Sequence, residues 1–370
     1  MKKQWIMALA GIALLAALLV APDEALAAAQ RGVTLFAGTL LPSLFPFLVA
    51  SQLIAQSGAL SWTGQALGRV TPRLFGLPGN SALALCLSIA SGYPAGARVV
   101  GELQAQGELT PRQARWASQL ASHAGPAFII GTLGTAMLGD SRLGFILWGC
   151  HVAAGLALNL ALGAFRRVRG GSPELKPPAL AKPLHLSDIL LGVGKTLVIV
   201  GGTVVLFSVV LALLTHWGIM DVLSRALAPA LSCLGISPHL SSALLSGMVE
   251  MTAGCQSAAA SGAPLAQVMT VMAFLLGFGG LSIQAQSLSL MPGVSLLPFL
   301  GYKTAQALVS AVLTRAVLQL LPATQAVFYP LPTPYLPMSF GQLAALAGFA
   351  LAMFLVFYLC MALLVRFSGD

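Results

Sequence analysis

The chain has 370 residues, 57% of them apolar and only 8% charged, with a net charge of +9 and a mean hydropathy of +0.88. A soluble domain carries about a quarter charged residues, so this composition excludes a soluble globular fold and specifies a polytopic membrane protein. Runs such as Leu343–Leu364 are continuously apolar and long enough to span a bilayer as helices, unlike the short alternating strands of a β-barrel.

In chain order, about eight spans are expected, near 4–20, 34–56, 117–138, 143–165, 188–215, 266–289, 294–320 and 342–365, with two re-entrant hairpins at 79–100 and 240–262. The N-terminus, Met1-Lys2-Lys3 followed by Trp5–Ala21 and Ala25-Leu26-Ala27, has the outline of a secretory signal peptide. The apolar run is long for a signal core, and the amphipathic stretch Asp23–Arg31 follows without a break, so a retained first helix is the reading adopted. Segments 58–77 and 217–237 read as moderately polar interfacial helices, and 101–116 as amphipathic. A basic, Pro-rich linker at 166–187 divides two halves, 34–165 and 188–321, flanked by an N-terminal segment 1–33 and a C-terminal loop and span 322–370.

The hairpins rest on two matching interruptions. Pro78-Gly79-Asn80 leads into Ser91-Gly92-Tyr93-Pro94-Ala95-Gly96-Ala97-Arg98, and Pro238-His239 leads into Glu250-Met251-Thr252-Ala253-Gly254. Backbone that stops being helical inside a bilayer must be buried by protein or line a wet cavity. Paired interruptions in two halves are the sequence mark of a transporter-type site. The echo continues downstream, where Gly125-Pro126 answers Gly279-Gly280 and Gly149-Cys150-His151 answers Gly301-Tyr302-Lys303.

Charge sets the expected topology. With Lys2 and Lys3 in the cytoplasm and 79–100 re-entrant, Arg69, Arg73, Arg98, Arg112, Arg115, the linker cations and Arg366 collect on the cytoplasmic side. Only Arg31, Arg142 and Arg225 then lie outside. Both termini are expected in the cytoplasm. The first repeat begins outside and ends inside, so the second is related to it by inversion across the membrane plane.

The expected substrate-binding residues are the polar and small ones at these interruptions: Asn80, Ser91, Gly92, Tyr93, Pro94, Gly96, His123, Gly125, Glu250, Thr252, Gly254, Gln284, Gln286 and Lys303. Glu250 is the only acid well inside an apolar segment, where a charge is costly unless used or paired. It binds a cation, proton or polar solute, or it caps a half-helix or pairs with Lys303. His123 titrates near neutral pH or is a hydrogen-bonded packer. Gln284 and Gln286 suit a sugar or a base, or act as interhelical glue. Arg98 is an anchor at the membrane surface.

No metal or cofactor site is expected, because the five cysteines are scattered without a CxxC. No GxSxG, HExxH, Walker loop or strand-borne GxGxxG is present, so enzymatic activity is not expected. No basic stripe with interleaved aromatics marks a nucleic-acid partner. The partners expected are the lipid bilayer and a small polar solute or coupling ion, with a homo-oligomer among the options.

Leu41-Pro42-Ser43-Leu44-Phe45-Pro46-Phe47, then Ser91–Arg98, then Ala124-Gly125-Pro126-Ala127-Phe128-Ile129-Ile130-Gly131 together resemble the YlbJ-like sporulation integral membrane proteins of the nucleoside-recognition (Gate) superfamily. The resemblance covers roughly residues 20–320 and is looser in the second half. It implies a core similar to concentrative nucleoside transporters, with inverted repeats and a central polar site, in a bacterial cell membrane. Gly125 departs from the pattern, standing where a Ser or Thr is expected. Two functions follow as alternatives: a transporter or channel-like permease for a small polar solute, nucleoside-like or ionic, or a non-transporting scaffold for envelope or spore assembly.

Overall fold

The computed structural model describes residues 2–56, 70–170 and 186–320. These residues form helices and connecting turns, with no strand among them. The expected span 342–365 and most of the expected linker lie outside the described residues.

The chain opens with α1 (Lys2–Val20) and α2 (Pro22–Leu35), which continues through a π-helical turn at Phe36–Leu40 into α3 (Leu41–Gln56). The axis bends by 106° between Ala8–Val20 and Pro22–Gly38. The second helix therefore begins at Pro22 rather than near residue 34. Pro22 suits a helix start, because the N–H it lacks has no intrahelical partner there. After α4 (Val70–Phe75) come α5 (Ser81–Ser91) and α6 (Tyr93–Ala105), separated by Gly92 alone. Gly92 has φ +95° and ψ −175°, a conformation that glycine reaches without Cβ strain. The two arms pack back on each other: a Cβ added at Gly96 would lie 2.6 Å from Ser88 Cβ.

The next helix, α7 (Pro111–Leu120), starts with a capping box in which Thr110 and Gln113 satisfy each other's backbone donors. The chain then breaks at 121–126, runs as a π-helix over Ala127–Met137, and enters α8 (Ser141–Gly170). The break falls inside the span expected at 117–138, around Gly125-Pro126. Arg166, assigned above to the linker, lies instead on the buried face of α8.

The second half follows the same order. It has α9 (Leu186–His216), α10 (Ile219–Cys233), then α11 (Leu240–Val249) and α12 (Met251–Ala259) with only Glu250 between them. Here too the arms close tightly, since a Cβ on Gly254 would sit 2.1 Å from Gly247 Cα. Then α13 (Leu265–Phe278) and α14 (Gly280–Leu290) meet at Gly279-Gly280, both at positive φ, and α15 (Leu296–Leu320) follows. Folded-back helix pair, broken helix and long helix thus occur twice.

Among the described residues four stretches are long and apolar enough to cross a membrane: Ser141–Arg167, Leu186–His216, Leu265–Leu290 and Leu296–Leu320. The bent pair at the N-terminus makes a fifth if counted as one span. These coincide with the spans expected at 143–165, 188–215, 266–289 and 294–320. By contrast α5 is only 11 residues long and buried on almost every side. A helix that is apolar all round belongs inside protein, and α5 packs against α3, α6 and α7.

Candidate functional site

The two helix-pair tips, the first break and the helix that follows the second break converge on one cavity of about 70 Å³. Ser91, Gly92, Tyr93 and Pro94 come from the first tip, and Glu250, Met251 and Thr252 from the second. Ala124 and Gly125 come from the first break, and Ile283 and Gln286 from the helix after the second. Leu40, Leu44, Phe128, Val200 and Val204 close the apolar side. Elements far apart in sequence thus supply a few polar groups to an otherwise apolar chamber, the usual make-up of a small-molecule site.

Glu250 is 2% exposed and forms the N-cap of α12. Its Oε2 accepts from the Ala253 N–H at 2.7 Å and its Oε1 from the Thr252 N–H at 3.2 Å. These are two otherwise unpaired donors of a helix start, where the helix dipole also favours negative charge. The carboxylate is therefore both a structural cap and a wall of the cavity. It is not paired with Lys303, the partner considered from sequence. The Lys303 ammonium donates to Ser122 O at 3.3 Å and Gln306 Oε1 at 3.0 Å, and lies 4.9 Å from the centroid of the Tyr93 ring.

Glycines bring backbone to backbone at both tips. A Cβ on Gly125 would come within 3.1 Å of Gly92 N, and one on Gly280 within 3.0 Å of Met251 N. Each break thus abuts the tip of its own half. This explains why Gly125 stands where a hydroxyl residue was expected, since a side chain at 125 would press on the first tip. Tyr93 then joins the halves, donating its hydroxyl to the carbonyl of Leu276 just before the second break.

Of the fourteen residues singled out by sequence, Ser91, Gly92, Tyr93, Pro94, Gly125, Glu250, Thr252 and Gln286 line the cavity. The other six lie off it. Asn80 donates to Glu108 Oε2 at 2.5 Å at the far end of α5. Gly96 and Gly254 are packing positions inside the two helix pairs. Gln284 donates to Phe278 O at 3.1 Å, across the Gly279 break. His123 and Lys303 belong to a second, fully buried polar cluster. Arg98, expected as an anchor, pairs with Glu102 at 2.8 Å and reaches Thr196 on α9 at 3.3 Å, so it ties two helices together.

The second cluster contains residues that sequence reasoning passed over. His151 lies 5.7 Å from His123 between ring centroids and accepts the Ala124 N–H at 3.0 Å through Nε2, so it holds the first break in place. Both ring nitrogens of His123, Nδ1 of His151 and Nε2 of Gln306 are buried without a protein partner. Beyond them Asn159 donates to the Tyr302 hydroxyl at 2.7 Å. Arg166 donates to Gln119 Oε1 at 2.6 Å, Asn159 Oδ1 at 3.2 Å and Phe75 O at 3.2 Å. The signal was available. His151, Gly155, Asn159 and Gly163 recur every four residues along α8, a single helix face, and Lys303, Gln306 and Ser310 do much the same on α15.

Fold and site together define a multi-pass, all-helical membrane protein built around a cavity at two helix interruptions. Residues 37–149, which hold the first helix pair and the first break, match the family model described as Gate, nucleoside recognition. The chain is 28% identical over 285 residues to the sporulation integral membrane protein YlbJ of Bacillus subtilis (strain 168), covering 72% of this chain and 70% of that protein. Both similarities agree with the motif resemblance drawn from Leu41–Phe47, Ser91–Arg98 and Ala124–Gly131. No solved structure matches the chain.

Proposed function

We propose that this protein is a membrane transporter or channel-like permease for a small polar solute, nucleoside-like or ionic, rather than an enzyme. The observation that carries the reading is the convergence of Ser91–Pro94, Gly125, Glu250–Thr252 and Gln286 on one cavity. Discontinuous helices meeting near the midplane are how transporters place polar backbone and side chains in a bilayer. In this reading the helix pairs are re-entrant hairpins of inverted repeats. The chain crosses a bacterial inner membrane about eight times, with both termini in the cytoplasm.

The cavity of about 70 Å³ holds a few waters and is well below the roughly 300–1,000 Å³ of sites for larger organic ligands. An ion fits as it stands, whereas a nucleoside requires the tips to part, as alternating access demands. The second reading, a non-transporting scaffold for envelope or spore assembly, draws on the relative's name as a sporulation membrane protein. Purified protein in liposomes, screened for uptake of labelled nucleosides and monovalent and divalent ions, tests the proposal. Saturable uptake abolished by blocking Ser91→Cys with a thiol reagent supports it. Absence of flux for every solute, with the protein correctly folded and oriented, favours the scaffold.

A further inference from the structure

A second pocket, remote from the cavity, lies between α7 and the start of α15. Its volume is about 260 Å³, and its walls include Arg112, Arg115, Trp116 and Gln119 of α7, Phe165 of α8, and Ser295, which directly precedes α15. Among the described residues no carboxylate lines it. The Arg112 guanidinium lies 4.7 Å from the Trp116 ring centroid, and the Arg166 guanidinium 5.9 Å from the same ring. Arg166 is 2% exposed, and its hydrogen bonds go to neutral acceptors on Phe75, Gln119 and Asn159. Among the described residues its charge therefore has no counter-ion, and Arg112 and Arg115 lie nearby. The pocket also opens on the first turn of α15, whose unpaired N–H groups add to the positive field.

Depth identifies the ligand. The stretch of α8 long and apolar enough to cross a membrane ends at Arg167 and that of α15 begins at Leu296, so the pocket lies at the ends of two candidate spans. That is headgroup level, where Trp is enriched. We propose that this pocket binds the phosphodiester headgroup of an anionic phospholipid, with Arg112 and Arg115 on the phosphate and Trp116 and Phe165 against the glycerol and upper acyl carbons. Guanidinium groups suit phosphate because their paired N–H donors match its oxygens.

The test is native mass spectrometry of the full-length protein released from phosphatidylglycerol or phosphatidylcholine nanodiscs. Wild type should retain phosphatidylglycerol and not phosphatidylcholine. R112Q/R115Q should retain it about 25-fold less, at about 5-fold per arginine, and R112K/R115K, which keeps the charge but not the paired donors, should fall between the two. If the double variant fails to fold, R115Q, at an exposed position, should still show the single 5-fold loss. Equal retention of both lipids, or undiminished retention by the Gln variants, overturns the proposal. Displacement of the lipid by inorganic phosphate would reassign the pocket to a soluble phosphate ester and overturn the lipid assignment.

Discussion

Replacing Glu250 by Gln separates the two roles that the structure gives this side chain. The carboxylate accepts two N–H bonds at the start of α12, from Ala253 at 2.7 Å and Thr252 at 3.2 Å. A glutamine offers one oxygen, so one charge-assisted bond is lost, worth about 1.5–3 kcal/mol, together with about 0.3–1 kcal/mol of helix-dipole interaction. Against this, a neutral amide is cheaper to bury than an ion. A net loss of about 1–2 kcal/mol is expected, in the range of a lost N-cap. Thermal unfolding in detergent should therefore show a lower midpoint, while proteoliposomes should show loss of solute flux or of its ion dependence. Glu250→Asp keeps charge and cap but draws the carboxylate back from the cavity, so it should restore stability and only part of the flux. Undiminished flux by Glu250→Gln, after correction for folded protein, would falsify a transport role for the carboxylate and leave it a cap. Adding Lys303→Met should not rescue Glu250→Gln, because Lys303 is bonded to Ser122 and Gln306; rescue would refute the geometry.

Three further outcomes are expected. Gly125→Ser introduces a Cβ about 3.1 Å from Gly92 N, which should cost about 1 kcal/mol of stability by overpacking and reduce flux by displacing the first tip, both read in the same two assays. Arg166→Lys keeps the charge but cannot hold Phe75 O, Gln119 and Asn159 together; a loss of about 2–4 kcal/mol is expected, and a variant as stable as wild type in chemical denaturation would contradict it. Gln106→Cys and Ala260→Cys, at exposed positions after the two helix pairs, should be labelled by impermeant thiol reagents from opposite sides of the membrane. Labelling of both from one side removes the inverted-repeat reading.

Much of the molecule was legible in one dimension because the bilayer makes local composition decisive. Apolar length alone marks the four described spans, since a helix that satisfies its own backbone is the only open-ended way to cross hydrocarbon. Gly92 and the Gly279-Gly280 pair mark chain breaks because their φ values are closed to most side chains. Glu250 is conspicuous because charge is so rare in apolar sequence. What sequence alone left open was partnership. Glu250 and Lys303 are the obvious opposite charges, yet the carboxylate turns to its own helix and the ammonium to Ser122 and Gln306. Arg166 reads as the first cation of a basic linker, yet it lies inside α8 against three neutral oxygens. Ser91, Gly125, Glu250 and Gln286 are spread over nearly two hundred residues and share a cavity only because the two tips and the two breaks pack together. Helix formation and helix breaking are settled by neighbours along the chain. Which buried polar group meets which is settled by packing between helices, where a one-residue rotation of about 100° exchanges one partner for another.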